Sequence, residues 1–557
     1  MVSNREISRL FNLYAELLLL HEKNERLSKL LSGAAYRLRN MSDEVVTLPR
    51  NELSKLFRTE ICEIIGELKD STTIEALDEL IQLTPPGLFE MMRIRGLGGK
   101  KLSALWRTAK IDSVDALLEA ARKNELSKIP GFGIKTQQNI IKSIESYTSN
   151  KDRFHYASVA DMAAMLVAVL QKVCKTNLIS LCGEIRRQSL TVAGIEIIAA
   201  ATAKKLTDKE IKRFLLVESS SALETKAHTL DEIPVTIYHV GVAEFYEQLF
   251  RRTGNEEHVK KVLAKIKGNV ALSSEEEIYK KAKYSYVIPE MRENVAEWQP
   301  LNSPLLELKD IRGVVHNHTT WSDGVDTLSD FIQACKKKKY EYTVISDHSK
   351  NAFYAGGLKE DKVLKQMDEI DKLNKKVSPF KIFKSIECDI LVSGELDYGN
   401  DFLQEFDLVI ISVHQLLKMD EERATKRLIK AIENPYTTIL GHMTGRQLLI
   451  RPGYPVNFEK VIDACAANGV VIEINANPYR LDMDWSHIPY ALKKGVMISI
   501  NPDAHSIAEI DNIRWGVSAA RKGGLTKDMT WNAMSLAKIE QWLKKRESNR
   551  AESLVTR

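Results

Sequence analysis

From residue 310 onward, short apolar runs recur with helix-like stretches between them: RGVVH, YTVISD, KIFKSI, DLVIISV, TTILGH, VVIEINAN and VMISINPD. Repeated βα units of this number predict a closed, barrel-like parallel sheet. The first 150 or so residues read differently, as helices separated by glycine, proline and aspartate in stretches such as LTPPGL and IPGFG. From about 155 to 295, helices alternate with short apolar runs such as IEIIAAA and IPVTIYHV. The early run LYAELLLL is short, is interrupted by Glu16 and continues into HEKNERLSKL at helical spacing. That pattern predicts an amphipathic core helix, not a signal peptide or a membrane span.

Composition narrows this only a little. A chain of 557 residues, 44% apolar and 28% charged, has room for three to five globular domains. A formal charge of +5 permits a nucleic-acid partner without demanding one. The six cysteines are scattered, with no CxxC pair, as in a reduced cytoplasmic protein, so neither a disulfide nor a thiolate zinc site is expected.

Candidate chemistry is concentrated near the ends of the strand-like runs. Seven of the twelve histidines lie between His316 and His505, with carboxylates among them. The candidate ligands are His316, His318, Asp323, His348, Glu387, His414, His442, Asp503 and His505. Imidazole and carboxylate suit Zn2+, Mn2+ and Fe2+, and so many donors imply more than one ion. A lone HxH says little, but an ordered set at strand ends lies where barrel active sites form.

Two further segments, RIRGLGGKKLSALW and KIPGFGIKTQQNII, share an apolar residue, a GxG, then lysine and a helical pattern. Glycine lets the backbone approach a phosphate, and the following helix offers its free N–H groups. Gly96, Gly98, Lys100 and Lys101 in one, and Gly131, Gly133 and Lys135 in the other, are expected to hold a DNA backbone without reading sequence.

These hairpins resemble the helix-hairpin-helix elements of family X DNA polymerases, and the resemblance runs through the N-terminal half. ICEIIGEL resembles the helix that in the family carries a Schiff-base lysine, but Ile64 stands at that place and has no amine. CGEIRRQSLTVAGIEII resembles the palm signature: Gly183, Arg186, Arg187, Thr191 and Val192 fit, whereas the metal-binding aspartates fall on Gly194, Glu196 and Thr236. Nucleotidyl transfer needs carboxylates for two Mg2+ ions, so Mg2+ at this palm is not expected unless a nearby carboxylate substitutes in a shifted register. Glu184 replaces a serine that lies near the incoming triphosphate in the family. FRRTGNEEH and YVIPEMREN resemble further segments of the palm and thumb.

The segment from about Asp310 resembles the PHP phosphoesterase domain, all nine of whose ligand positions carry acceptable residues here. The resemblance implies three divalent ions, Mn2+, Zn2+ or Fe2+, and hydrolysis of phosphoesters. Glu387 is then the expected bridge between ions, Arg446 or Arg451 the phosphate donor, and Asp347 either an orienting group or a turn cap. Asn475 and Asn477 match residues near the family's site. His487 reads as structural, and the lysines at 336–339 and LKKRESNR read as solvated helix faces or DNA contacts.

The expected architecture is multidomain α+β and α/β: a lyase-like helical domain (1–75), helix-hairpin-helix fingers (76–150), a degenerate palm and thumb (151–297), a linker (298–309) and a distorted (βα)7 PHP barrel (310–557). The resemblance is to bacterial family X DNA polymerase/3'-5' exonucleases with a C-terminal PHP domain. It implies a monomeric, cytoplasmic exonuclease on gapped, nicked or 3'-ended DNA that serves base excision repair. Abasic-site cleavage and 3'-phosphate removal are compatible with the same chemistry. The alternatives are an active family X polymerase, or a phosphatase for a small phosphomonoester with a DNA-binding or docking front half.

Overall fold

The computed structural model describes residues 4–39, 41, 44–71, 73–94, 96–207, 209–266, 272–293 and 303–555. They form two units, Met1–Asp152 and Arg153–Arg557.

The first unit is helical. LYAELLLL lies in the helix Asn4–Leu20, whose inward face is Ile7, Phe11, Leu17 and Leu20. One apolar core runs from Ile7 to Ile144 and so joins the segments expected as separate domains, 1–75 and 76–150. Ile64 packs against this core. Each GxG forms a turn: Gly96 and Gly131 take φ of +89° and +87°, a region that disfavours a side chain. Gly98 and Gly133 then precede the helices Gly99–Ala109 and Ile134–Asn150.

The second unit begins with a five-stranded sheet. Its order is Ile179–Leu181, Ile195–Ala199, Pro234–His239, Glu224–Thr229 and Leu215–Ser220, antiparallel except for the parallel second and third strands. The helix Tyr156–Cys174 is long and apolar enough to span a bilayer by length and composition alone. Its buried residues Val159, Ala163, Leu166 and Leu170 instead pack into the core of this sheet.

Seven parallel strands then follow in sequence order: Gly313–Asn317, Tyr342–Ile345, Lys381–Asp389, Leu408–Ser412, Thr437–Leu440, Val471–Asn475 and Ile498–Asn501. The sheet curls until its edges nearly meet, and the His318 N–H donates to the Ala504 carbonyl at 2.8 Å across the seam. At the other end of the seam, Asn532 acts as a piece of backbone: it accepts from Ile500 N at 3.0 Å and donates to the carbonyls of Ile500 and Gly313 at 2.7 and 3.2 Å. Trp531 beside it is buried in the apolar cluster that includes Val315, Val344, Ile410 and Ile439. The outer face of the strands packs against the helices between them, as continuous apolar runs require.

Residues 298–302 of the expected linker lie outside the described residues. From Leu305, which bridges to Thr526, the chain is already part of the barrel, and Leu306 is buried in its core.

Candidate metal centre

Polar residues at the ends of six of the barrel strands, or in the loops that follow them, gather all nine candidate ligands. They form four overlapping groups whose ligand atoms lie within 4.8 Å of one another: His318, Asp323, His348 and His505; His316, His318 and Asp503; His316, Glu387 and His442; His348, Glu387 and His414. Glu387 is central. Its Oε1 lies 3.2, 3.2 and 3.0 Å from Nε2 of His316, His414 and His442, and its Oε2 lies 2.9 Å from Nδ1 of His348. His316 and Asp503 take φ of +65° and +51°, a left-handed conformation uncommon outside glycine.

The donor set fits divalent cations. His316 Nε2, His318 Nδ1, His348 Nδ1, His442 Nδ1 and Glu387 Oε2 are all buried, and despite the short distances within the cluster none makes a well-directed hydrogen bond, an arrangement that costs free energy unless something else satisfies them. Burial would raise the Glu387 carboxyl, but His414, His316 and His348 outweigh it and hold it well below the ordinary range. Burial would lower His414 and His505, yet the carboxylates around them hold them up at about 10 and about 9. His318 is driven down to about 3 by burial and by His505 and His348.

A second set of carboxylates orients these ligands. Glu473 Oε2 lies 2.6 Å from His316 Nδ1 and accepts from Asn501 Nδ2 at 2.7 Å, while its Oε1 accepts from Asn475 Nδ2 and His442 N. Asp389 Oδ1 lies 2.6 Å from His414 Nδ1. The sequence reading missed both, although an acidic residue inside the apolar run VVIEINAN, and another two residues after Glu387 on the same strand face, were signals. Asn475 also donates to Asp503 Oδ2 at 3.0 Å, whereas Asn477 caps its own loop by accepting from Tyr479 N.

Asp347 acts as the turn cap. Its buried carboxylate accepts from Thr319 N and Oγ1, Ser322 N and Oγ, and Gln366 Nε2, and so fastens the loop that carries Asp323.

The cluster opens into a cavity of about 290 Å³ whose wall includes Tyr354, Arg451 and Arg480. Arg451 donates Nε to the Gly445 carbonyl at 3.1 Å, and Arg480 Nε stands 3.8 Å from Asp503. Arg446 does not line this cavity: it pairs with Asp484 at 2.5 Å and donates to the carbonyls of Arg480 and Leu481, supporting the loop. His487 stacks on Phe458 with ring centroids 3.6 Å apart. In the basic clusters, Lys338 pairs with Asp511, and Arg546 donates to the Asn468 and Gly469 carbonyls.

The palm differs sharply. Among the described residues, every group of three or more metal-capable side chains lies in the barrel. Glu196 faces Thr236 across parallel strands, and its carboxylate accepts from the Tyr238 hydroxyl at 3.0 Å. A Cβ at Gly194 would lie 2.5 Å from the Pro234 carbonyl, so no aspartate fits there without movement. The arginines of the motif are engaged internally: Arg186 with Glu275 at 2.5 Å, and Arg187 with Glu293 at 3.0 Å. Glu184 pairs with Arg153 at 2.9 Å.

The two hairpins are unequal. The Gly99 N–H at the first donates to Glu16 Oε2 at 2.5 Å, Lys100 pairs with Glu25 at 2.7 Å, and Lys101 donates to the Gly96 carbonyl at 2.8 Å. At the second, Gly131, Gly133 and Lys135 are exposed, and no atom lies within 4 Å of where a Cβ would stand on either glycine.

Residues 89–146 match the family described as a SAM-like helix-hairpin-helix tandem. Over 511 residues, 87% of this chain and 89% of the relative, the sequence is 31% identical to the DNA polymerase/3'-5' exonuclease PolX of Bacillus subtilis (strain 168). Over 249 residues, 42% of this chain and 94% of the relative, it is 28% identical to a probable phosphatase of Thermoanaerobacter sp. (strain X514). A probable phosphatase of Caldanaerobacter subterraneus subsp. tengcongensis is 26% identical over 248 residues, 42% of this chain and 90% of the relative.

Proposed function

The chain belongs to the PolX family of DNA polymerase/3'-5' exonucleases, and from that premise we propose that its activity is metal-dependent 3'-5' exonucleolysis in DNA repair, with the palm kept as a DNA-binding scaffold that no longer polymerises. The observation that carries this reading is the contrast between two sites in one chain. Glu387 stands among four histidines, while the palm positions that need carboxylates hold Gly194 and Thr236.

The nine ligands would hold three divalent ions, Mn2+, Zn2+ or Fe2+, and Glu387 would be a donor in two of the four groups. Cations held there supply Lewis acidity and acidify water, which is what phosphoester hydrolysis near neutral pH requires. The protein's own groups do the rest. Glu473 and Asp389 fix the tautomer and direction of His316 and His414. Arg451 and Arg480, on the cavity wall, take the oxygens of the scissile phosphate. DNA with a gap, a nick or a free 3' end is held by Gly131, Gly133 and Lys135 of the second hairpin, whose helix end is open to a phosphate. Buried thiols at all six cysteines agree with a reduced, cytoplasmic setting.

The probable phosphatases matched over 42% of the chain favour a second reading, hydrolysis of a small phosphomonoester. One comparison separates the two: nucleotide release from 3'-labelled DNA against phosphate release from small esters, with Mn2+-loaded protein and His316→Ala as control. The exonuclease reading fails if the ester is turned over and no DNA is degraded. Primer extension with Mg2+ or Mn2+ tests the palm, and nucleotide incorporation there would overturn its assignment as a scaffold.

A further inference from the structure

The loop after the second barrel strand is tightly fastened, yet it carries two large aromatic side chains out into solvent. Asn351 anchors it, its N–H donating to Asp397 at 2.7 Å and its side chain to Asp389 at 2.6 Å. Ala352 is buried, and a Cβ at Gly357 would lie 2.1 Å from the Ser349 carbonyl, so the turn is closed against its own base. On this support Phe353 is 78% exposed and Tyr354 53% exposed, their rings edge to face with centroids 5.8 Å apart. Tyr354 also forms part of the metal cavity's wall, beside Arg480. The pair thus stands on a hydrogen-bonded turn at the mouth of the candidate metal cavity with most of the Phe353 ring and half of Tyr354 open to solvent.

We propose that Phe353 and Tyr354 form a stacking platform for the unpaired base of the 3'-terminal nucleotide. This rests on the exonuclease reading and adds to it the form in which the substrate arrives. The scissile phosphate must reach a cluster whose central residue, Glu387, lines the cavity and is fully buried. A terminal nucleotide can deliver it there only by leaving its stack in the duplex, and the loop offers that base a replacement aromatic surface. Aromatic faces accept all four bases because every base has a π-face, so the platform selects for unpaired ends without selecting sequence. Cleavage is therefore faster at single-stranded or mismatched 3' ends than at matched ones.

The test uses the full-length, Mn2+-loaded protein and three 3'-labelled substrates: a single strand, a matched duplex and a duplex with a 3' mismatch. Glycerol phosphate serves as a small ester without an aromatic ring. Phe353→Ala and Tyr354→Ala are expected to lower kcat/KM on single-stranded ends about tenfold relative to the ester, mainly through KM, and Phe353→Trp to restore it. A 3'-terminal 2-aminopurine, protected by a phosphorothioate linkage, reports stacking directly: its fluorescence is quenched by the wild type and much less by Phe353→Ala. If DNA is degraded but neither the ratio nor the quenching responds to these substitutions, the platform is overturned and the exonuclease stands. If the wild type turns over the ester and degrades no DNA, the exonuclease reading falls and the platform with it.

Discussion

The Glu16 carboxylate accepts a hydrogen bond from the Gly99 backbone N–H at 2.5 Å, so the first hairpin's helix already holds an anion belonging to the protein. The contact is specific to this pairing of helices. A side chain at Gly99 would collide with the Glu16 carbonyl at 2.3 Å, which lets the helix Gly99–Ala109 lie against Asn4–Leu20. A phosphate approaching that helix end meets a negative charge on the positive pole of the dipole.

Removing this charge opens the first hairpin. Glu16→Ala is expected to tighten DNA binding about fivefold and to steepen the salt dependence by about one phosphate contact. Lys135→Ala, at the open hairpin, is expected to weaken binding in the wild-type background. Fluorescence anisotropy with a gapped duplex over a range of salt concentrations measures both. An unchanged affinity and slope in Glu16→Ala would show that the first hairpin does not meet DNA at all.

Glu473 was not anticipated as part of the metal centre, and its substitution is correspondingly informative. Glu473→Gln leaves every direct ligand in place but removes the carboxylate 2.6 Å from His316 Nδ1. Metal affinity or activity is expected to fall about 10- to 100-fold. Metal content after dialysis, read together with rate, checks this, and a fully loaded and fully active variant would exclude an orienting role for Glu473.

Metal loading is expected to depend on pH in a defined direction. His414 and His505 are held up at about 10 and about 9 because Glu387, Asp389, Asp323 and Asp503 outweigh their burial. Both are therefore protonated at neutral pH in the metal-free protein, and both must become neutral to ligate. Apparent affinity is expected to fall as pH drops below about 9, about tenfold per unit for each proton displaced. Chelator competition at about pH 6 and about pH 8, with proton release followed in calorimetry, measures it. Equal affinities at the two values would contradict the expectation.

Glu275 ties two arginines together at the palm. It receives Arg292 Nη1 at 2.6 Å and Arg186 at 2.5 and 3.0 Å, and Arg292 is wholly buried. Burial would raise the carboxyl, but the two guanidiniums hold it below its ordinary 4.5. A depressed carboxylate stabilises the fold above its unfolded value, so this contribution is present above pH 4.5 and is lost as pH falls through the lower folded value. Glu275→Gln leaves Arg292 buried without its charge partner and is expected to cost about 3–5 kcal/mol near neutral pH. Denaturant melts of both proteins over a descending pH series should converge, and a gap that persists in acid would point to packing instead of charge.

Much of the candidate metal centre's cluster of side chains was legible because strand ends announce themselves locally. An apolar run that stops at His348, His414 or His442 carries its donor at the end of a strand whatever the other strands do, and seven such runs already specify a barrel. The lack of carboxylates at two palm positions was legible for a related reason: whether Gly194 and Thr236 can ligate is a property of their side chains alone. The parts that were missed involve residues far apart in sequence. Glu473 meets His316, a separation of 157 residues, only because the barrel closes and brings its sixth strand near the first.

The sequence by itself determined the succession of elements, the PolX family and the chemistry of the donors, since periodicity, glycine turns and ligand type are local properties. Tertiary structure alone decided which donors share a centre, that Arg446 supports a loop while Arg480 faces the cavity, and that Glu16 occupies the first hairpin but leaves the second open. Those outcomes depend on side chains brought together by packing, and neither the distance between them nor the direction in which they point is encoded in any single stretch of chain.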